Sequence, residues 1–168
     1  MAQSAVLTGR TLSDVVNNAI VLVVMSLTGL LVGWRIRSSF LDALLGYAIL
    51  LVFAYAMSWV MAWVGLLVPS VEVLNQASFI VIFPLTFVAN TFVPLESLPR
   101  PLEIFATWIP VSAITQAARE LFGNDALVVE QTAWPLQNPV LYTLIWSAIV
   151  LVIFIPLTNL QYKRATAR

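Results

Sequence analysis

Two residue types are missing from this sequence, and charge is scarce in it. None of the 168 residues is Cys or His. Thiolate nucleophiles, disulfides, imidazole bases and metal sites built on Cys or His are therefore excluded. Charged residues make up only 10% of the chain, and eight Lys and Arg balance eight Asp and Glu. A neutral chain with so few cations lacks the basic surface that binds nucleic acid, so no nucleic-acid partner is expected.

Apolar residues are abundant. They make up 61% of the chain, and the mean hydropathy is +0.95. Soluble domains are about 45–50% apolar and about one quarter charged. A chain of this length folded in water could not bury so much apolar surface. We therefore predict an all-α membrane protein that crosses the bilayer several times.

The charged residues mark where the membrane spans begin and end. A bilayer core about 30 Å thick requires about 20 consecutive apolar residues in a helix. Uncharged stretches of that length predict four transmembrane helices within one domain, residues 1–168. The predicted spans cover about residues 15–34, 43–68, 73–95 and 139–160.

The stretch between the third and fourth spans carries more charge and is interrupted by proline. Pro101 can begin one short amphipathic helix, and Pro110 can end it and begin another, so a helix pair is predicted over about 101–122. The second helix is expected to place Val111, Ile114, Ala118, Leu121 and Phe122 on an apolar face and Thr115, Gln116, Arg119 and Glu120 opposite. Periodicity leaves open whether the pair is a re-entrant hairpin or an amphipathic loop on the headgroups.

The predicted spans contain no Asp, Glu, Lys or Arg. Pumps, voltage sensors and many ion-coupled carriers place such groups at membrane depth, so ion coupling through this chain is not expected. The sequence also lacks a GxxxxGK[ST] loop, the motif that binds nucleotide phosphates in P-loop proteins. No cofactor and no enzymatic activity are expected in this chain, and any ATP-driven activity would need a separate ATPase subunit.

Aromatic residues in the second and third spans are candidates for the wall of a transport pathway. The second span presents an aromatic residue at every fourth position along one face, and Pro84 predicts a kink in the third. The candidate pathway residues are Tyr55, Trp59, Trp63, Phe83, Phe87 and Asn90. The alternative is that these side chains pack between helices or face lipid.

Several segments together resemble a known family. They are Phe92-Val93-Pro94, Leu98-Pro99, Leu102, Phe105-Ala106, Pro110-Val111-Ser112, Ala118-Arg119 and Gly123. This pattern is similar to the signature of ABC transporter type-2 permeases, and most similar to that of their daunorubicin-resistance exporter branch. The residues from Gly9 to Asp14, followed by the span that ends at Arg35, are similar to the family's third span and the segment before it.

The resemblance implies a permease subunit of an ATP-binding-cassette exporter that moves hydrophobic drugs or lipids out of the cell. Such a permease works with a nucleotide-binding ATPase subunit, which holds ATP and Mg, and with a second permease chain in the lipid bilayer. The four spans would correspond to the third to sixth of the family's six, so the first two are expected to be missing. The alternative is a truncated or accessory membrane protein that does not transport.

The resemblance also implies roles for the segments outside the spans. Arg10 and Asp14, one helical turn apart and able to form an ion pair, would lie in the cytoplasmic segment that couples to the ATPase. The proline-broken pair would be the re-entrant gate, with Pro99, Pro110, Arg119 and Glu120 as its site residues. Lys and Arg tie at four on each side of the membrane. The resemblance breaks this tie in favour of cytoplasmic termini in the plasma membrane.

Overall fold

The computed structural model describes residues 3–89, 95–124 and 133–166. In these ranges all regular structure is helical, which confirms the predicted all-α class. The helices are Gln3–Val32 (α1), Phe40–Gly65 (α2), Val71–Val88 (α3), Arg100–Trp108 (α4), Pro110–Leu121 (α5), Trp134–Gln137 (α6) and Pro139–Thr166 (α7). A 3-10 turn at Leu95–Ser97 precedes α4.

Four of the described helices are long and apolar enough to cross a membrane. Their candidate spans are Leu12–Val32, Phe40–Gly65, Val71–Val88 and Pro139–Lys163. These spans confirm the predicted number of transmembrane helices and identify a multi-pass membrane protein. The predicted third span, residues 73–95, extends furthest beyond its helix. Helix α3 ends at Val88, and Leu95 belongs to the 3-10 turn. The short pair α4 and α5 lies between the third and fourth spans, as predicted.

Helix α1 ends in a hydrogen-bonded cap that requires glycine. Gly33 has a φ of +103°, a left-handed conformation that glycine adopts without steric cost. Its N–H donates to the carbonyl oxygen of Leu30 at 3.3 Å, and the N–H of Trp34 donates to that of Gly29 at 2.9 Å. These two bonds form a Schellman motif, which satisfies carbonyls that have no partner inside the helix.

The chain divides into two compact units, one made of residues 1–35, 51–75 and 147–168 and the other of residues 36–50 and 76–146. In the first unit the most deeply buried residues are mostly small. Ala56, Ser147 and Thr158 are almost fully buried, whereas Met25 and Val152 are exposed. In lipid the large apolar side chains gain nothing from burial in protein, so close contact between small residues decides how the helices pack.

The second unit contains the short helices. Helix α4 packs against the 3-10 turn, α5 and α6. Ala106 of α4 and Leu136 of α6 form a buried cluster with Leu95. Ala113 and Ala117 of α5 have no exposed surface. The second unit therefore also places alanine at the points of closest approach between helices.

The buried face of α5 overlaps the predicted apolar face only in part. Ile114 and Phe122 of that face are buried, but so are Ser112, Ala113, Gln116 and Ala117. Val111, Ala118 and Leu121 are only partly buried, and Gln116, expected on the polar face, is 3% exposed. Small residues at 112, 113 and 117 let α5 approach its neighbours closely, whereas hydrophobicity alone does not select the packed face in a bilayer.

Replacing the buried Ala113 by leucine is expected to lower the free energy of unfolding by about 1–3 kcal/mol, because the added carbons have no space between the helices. The exposed Ala48 of α2 provides the matched control, since Ala48→Leu adds the same atoms where they meet no packed neighbour. Denaturation of the two purified variants in the same lipid–detergent mixture, followed by Trp fluorescence, measures the difference. Equal midpoints for the two variants would contradict this packing.

Candidate functional site

The pair formed by α4 and α5 is bent at a proline. Pro99 occupies the N-cap of α4, which ends at Trp108. Ile109 then has an extended backbone, with φ −73° and ψ 139°, and Pro110 is the first residue of α5. Proline disfavours helical geometry at the residue before it, and it can open a helix because its missing N–H is not needed there. The bend therefore lies at Ile109, where the sequence predicts it.

The bend leaves the carbonyl of Trp108 without a helical partner, and α7 supplies one. The N–H of Ser112 donates to the carbonyl oxygen of Ile109 at 3.2 Å. The hydroxyl of Tyr142, in the first turns of α7, donates to the carbonyl oxygen of Trp108 at 2.6 Å. The ring of Trp134 packs edge-on against that of Tyr142, with centroids 6.0 Å apart. Tyr142 therefore anchors the bend, a contact that the sequence analysis missed because it joins residues distant in sequence.

The other end of the pair is closed by a second Schellman motif. Gly123 has a φ of +67°, and its N–H donates to the carbonyl oxygen of Glu120 at 3.0 Å. The N–H of Asn124 donates to the carbonyl oxygen of Arg119 at 2.8 Å. These bonds satisfy two of the carbonyls that the end of α5 leaves free.

The segment between α1 and α2 satisfies the next two carbonyls. The hydroxyl of Ser38 donates to the carbonyl oxygen of Leu121 at 2.5 Å. The backbone N–H of Arg37 donates to the carbonyl oxygen of Phe122 at 2.9 Å. We call this arrangement, Arg37 and Ser38 against residues 121–123, the connector clamp. With it, each carbonyl from residue 119 to 122 accepts a hydrogen bond.

The first turns of α2 pack against the same end of α5. The rings of Tyr47 and Phe122 lie 5.0 Å apart between centroids. Gly46 faces Phe122 so closely that a Cβ at position 46 would lie 3.0 Å from its ring and 3.3 Å from the Cβ of Leu121. Glycine at this position lets α2 contact the end of α5 directly.

The predicted gate residues lie along the pair. Glu120, near the end of α5, accepts a hydrogen bond from the side-chain amide of Gln116 at 2.9 Å. Arg119 is half-buried in the last turn of the same helix, where a cation interacts favourably with the helix dipole. Pro99 and Pro110 begin the two helices. The structure thus brings three of the four residues onto α5, and their role in gating stays a prediction.

Two buried polar atoms on α5 were not anticipated. The hydroxyl oxygen of Ser112 and the amide oxygen of Gln116 are buried and have no hydrogen-bond partner among the described residues. They are four positions apart and so lie on the same helix face. The spacing of four residues is the only sequence signal for this pair. The sequence instead predicted that Gln116 lies on the polar face of α5.

Two candidate pathway residues of α2 pack against α7 within the first unit. Trp59 is 2% exposed, and its carbonyl oxygen accepts a hydrogen bond from the hydroxyl of Thr158 at 3.4 Å. The ring of Trp63 lies 5.5 Å from that of Phe154 between centroids. Tyr55, the third candidate on this helix, contacts Trp59 edge-on. A ligand could reach Trp59 only if α2 and α7 moved apart.

The candidates on α3 are exposed instead. Phe79, Phe83 and Phe87 form a ladder along the helix, with neighbouring ring centroids 5.4 and 5.0 Å apart. All three rings are exposed, so their outer faces are available to lipid, substrate or another chain. Asn90, the last pathway candidate, lies outside the described residues.

The predicted coupling residues lie on α1. Arg10 belongs to this helix, but its side chain lies outside the description, so its expected ion pair with Asp14 stays a prediction. Asp14 is half-buried. Helix α1 begins at Gln3, whereas its apolar span begins only at Leu12. The helix therefore extends beyond the apolar span at this end.

Comparison with known families identifies the class of this membrane protein. The family described as ABC-2 type transporter matches residues 1–122, which cover α1 to the end of α5. The chain therefore belongs to the ABC-2 type transporter family. This result confirms the resemblance recognised in the sequence, and it includes the bent helix pair within the matched region.

Among curated proteins, the chain is similar to the daunorubicin resistance ABC transporter permease protein DrrB1 of Streptomyces coeruleorubidus. The two are 32% identical over 165 residues, which cover 98% of this chain and 55% of that protein. The chain thus spans about half the length of the curated relative it matches. No solved structure matches the chain.

Removal of the Tyr142 hydroxyl should weaken the bend. Tyr142→Phe leaves the Trp108 carbonyl without its partner, and we expect the free energy of unfolding to fall by about 0.5–1.5 kcal/mol. Tyr55→Phe is the control, because no hydrogen bond from its hydroxyl is seen among the described residues. Thermal unfolding of both variants in lipid nanodiscs provides the measurement, and a Tyr142→Phe midpoint equal to that of the control would refute the anchor.

Proposed function

We propose that the chain is a permease subunit of an ATP-driven exporter of hydrophobic drugs or lipids. The observation that carries the proposal is membership of the ABC-2 type transporter family, combined with four candidate spans and a bent helix pair before the last of them. In this proposal ATP hydrolysis takes place on a separate ATPase subunit, which is consistent with the lack of a P-loop in these 168 residues. The name of the daunorubicin resistance relative supports daunorubicin as a first test substrate.

The N-terminal part of α1 is the proposed contact with the ATPase. Helix α1 starts at Gln3, and the residues before Leu12 are not part of its apolar span. A helix that extends from the bilayer into the cytoplasm presents a rigid surface to a partner. Arg10 lies on this part of the helix and Asp14 lies two residues inside the span, and we assign the docking surface to them.

The bent pair is the proposed gate at the outer side. Helix α4 has 9 residues and α5 has 12, so they extend about 14 and 18 Å, well short of the bilayer core of about 30 Å. The large apolar side chains of α4, Ile104 and Trp108 among them, are exposed, as suits a helix immersed at the membrane surface. In this proposal Pro99 and Pro110 fix the shape of the gate, and Arg119 and Glu120 hold it in place.

The pathway is proposed to lie between two permease chains. Phe83 and Phe87 of α3 offer exposed aromatic faces to an apolar molecule. The buried Trp59 is available only after rearrangement. Surrounding lipid covers the remaining apolar surface of the spans.

Transport by the native complex tests the function. The complex is purified from its own membrane, the co-purifying ATPase is identified, and both are reconstituted in proteoliposomes. We expect ATP-dependent transport of daunorubicin or of a fluorescent phospholipid, and none with an ATPase variant that cannot hydrolyse ATP. An intact complex with active ATPase that moves neither probe would favour the alternative of a non-transporting membrane protein.

The same preparation separates the proposed roles of the site residues. Arg10→Glu is expected to reduce co-purification with the ATPase, because it reverses a charge in the docking surface. Arg119→Ala and Pro110→Ala are expected to reduce transport while the ATPase remains bound. Unchanged co-purification of Arg10→Glu would remove the docking role, and normal transport by both gate variants would remove the gate.

The proposed cytoplasmic position of the termini can be tested by cysteine labelling, without an assay of transport. A cysteine at Ala167 of this Cys-free chain should react with a membrane-impermeant maleimide only after cells are permeabilised. Ser97, an exposed residue of the 3-10 turn between the third and fourth spans, provides the opposite control. Ser97→Cys should react in intact cells. The reverse pattern would show that the proposed orientation is inverted.

A further inference from the structure

We propose that Arg37 and Ser38, with the first turns of α2, form one rigid body with the end of α5. Through this body a displacement of α1 would reach the bent helix pair. The proposal rests on the exporter function proposed above, since it describes how the signal from the ATPase contact arrives at the gate. Ser38 and Gly123 act in it as positioning residues and do not touch the substrate.

The hydrogen bonds give this contact its strength. Ser38 and Leu121 are 83 positions apart, yet the Ser38 hydroxyl and the Arg37 N–H each occupy a carbonyl at the end of α5. Separation would leave the Leu121 carbonyl without the Ser38 hydroxyl, whereas the Phe122 carbonyl would keep the hydrogen bond that it accepts from the Asn124 side-chain amide at 3.1 Å. The connector and the helix end therefore move together more readily than apart.

The hydrogen bonds oppose separation of the connector from the end of α5, and steric contact opposes sliding of one along the other. A Cβ at Gly123 would lie 2.9 Å from the carbonyl carbon of Arg37 and 2.9 Å from the nitrogen of Ser38. The two backbones thus touch with no side chain between them. On the other side, Gly46 contacts the ring of Phe122. The end of α5 therefore lies against both the connector and α2, with little room for a Cβ at position 46 and none at position 123.

The chain joins this body covalently to α1. Helix α1 ends in the cap at Gly33, and Arg37 follows four residues later. A helix of 30 residues is about 45 Å long, so a displacement at its first turn is carried along its length to the connector. The connector clamp then transfers that displacement to α5 through hydrogen bonds rather than through the surrounding lipid.

The first test compares transport with ATP hydrolysis in the reconstituted complex. Ser38→Ala is expected to lower the amount of substrate exported per ATP hydrolysed by roughly fivefold, the effect of about one hydrogen bond, with ATPase activity retained. Ser38→Thr, which keeps the hydroxyl, should export as much substrate per ATP hydrolysed as the unmodified protein. Ser58→Ala is the control, because that hydroxyl bonds only to the Ala54 carbonyl of its own helix.

Gly123→Ala should have a larger effect, because its methyl group collides with the connector. Gly65→Ala is the control, since a Cβ at position 65 would meet only a side-chain carbon of Leu74 at 3.6 Å, an ordinary contact. An equal ratio of export to hydrolysis in Gly123→Ala and Gly65→Ala would overturn the transmission role.

A cross-link distinguishes a rigid body from a latch that must open. Positions 46 and 121 would place their Cβ atoms 3.3 Å apart, close to the distance that a disulfide spans. The Gly46→Cys/Leu121→Cys variant should form a disulfide in the membrane and export equally well before and after reduction. Failure to cross-link, or export that recovers only on reduction, would overturn the proposal. The two single-cysteine variants control for the substitutions.

Hydrogen exchange tests the rigid body without any assay of transport. In the purified complex, residues 36–40 and 119–123 should exchange at a common rate, and Ser38→Ala should accelerate both by roughly fivefold. Ser58→Ala should leave both unchanged. Independent exchange of the two segments would overturn the rigid body even if the complex transports. Coincident exchange in a complex that moves no substrate would refute only the exporter function.

Discussion

The rest of this structure depends on one constraint, that a helix in lipid gains no free energy by burying a large apolar side chain against protein. Contacts between helices must then come from close backbone approach and from hydrogen bonds. Ala106, Ala113 and Ala117 occupy the closest contacts in the second unit, and Thr158 bonds to the backbone of α2 in the first. Leucine, isoleucine and phenylalanine mostly cover the outside.

The same constraint applies to backbone groups at every break in a helix. The bend at Ile109 releases the Trp108 carbonyl, and the end of α5 releases the four carbonyls of its last turn. A tyrosine hydroxyl, a serine hydroxyl and backbone N–H groups occupy these acceptors. The bent pair is therefore fixed at two points by residues from other parts of the chain.

The features that could be predicted from the sequence are those with a local physical cause. Charges are costly in hydrocarbon, so the gaps between them locate the spans. Pro110 forces its own bend, and Gly123 provides the left-handed residue that ends α5. The burial of Ser112 and Gln116 on α5 could not be predicted in the same way, because close packing between helices decides it and hydrophobicity does not. The contacts of Ser38 and Tyr142 join distant segments, and no local pattern reports them.

The two anchors of the bent pair become available at different times during synthesis. The donors at the end of α5, Arg37 and Ser38, are already made when α5 leaves the ribosome. The donor at the bend is Tyr142, which is made about twenty residues after α5 is complete. Since chains fold from the N-terminus, the tether at the end of α5 can form before the hydrogen bond at the bend. Proline would then give the nascent hairpin its bend, and Tyr142 would add the second attachment once α7 is made.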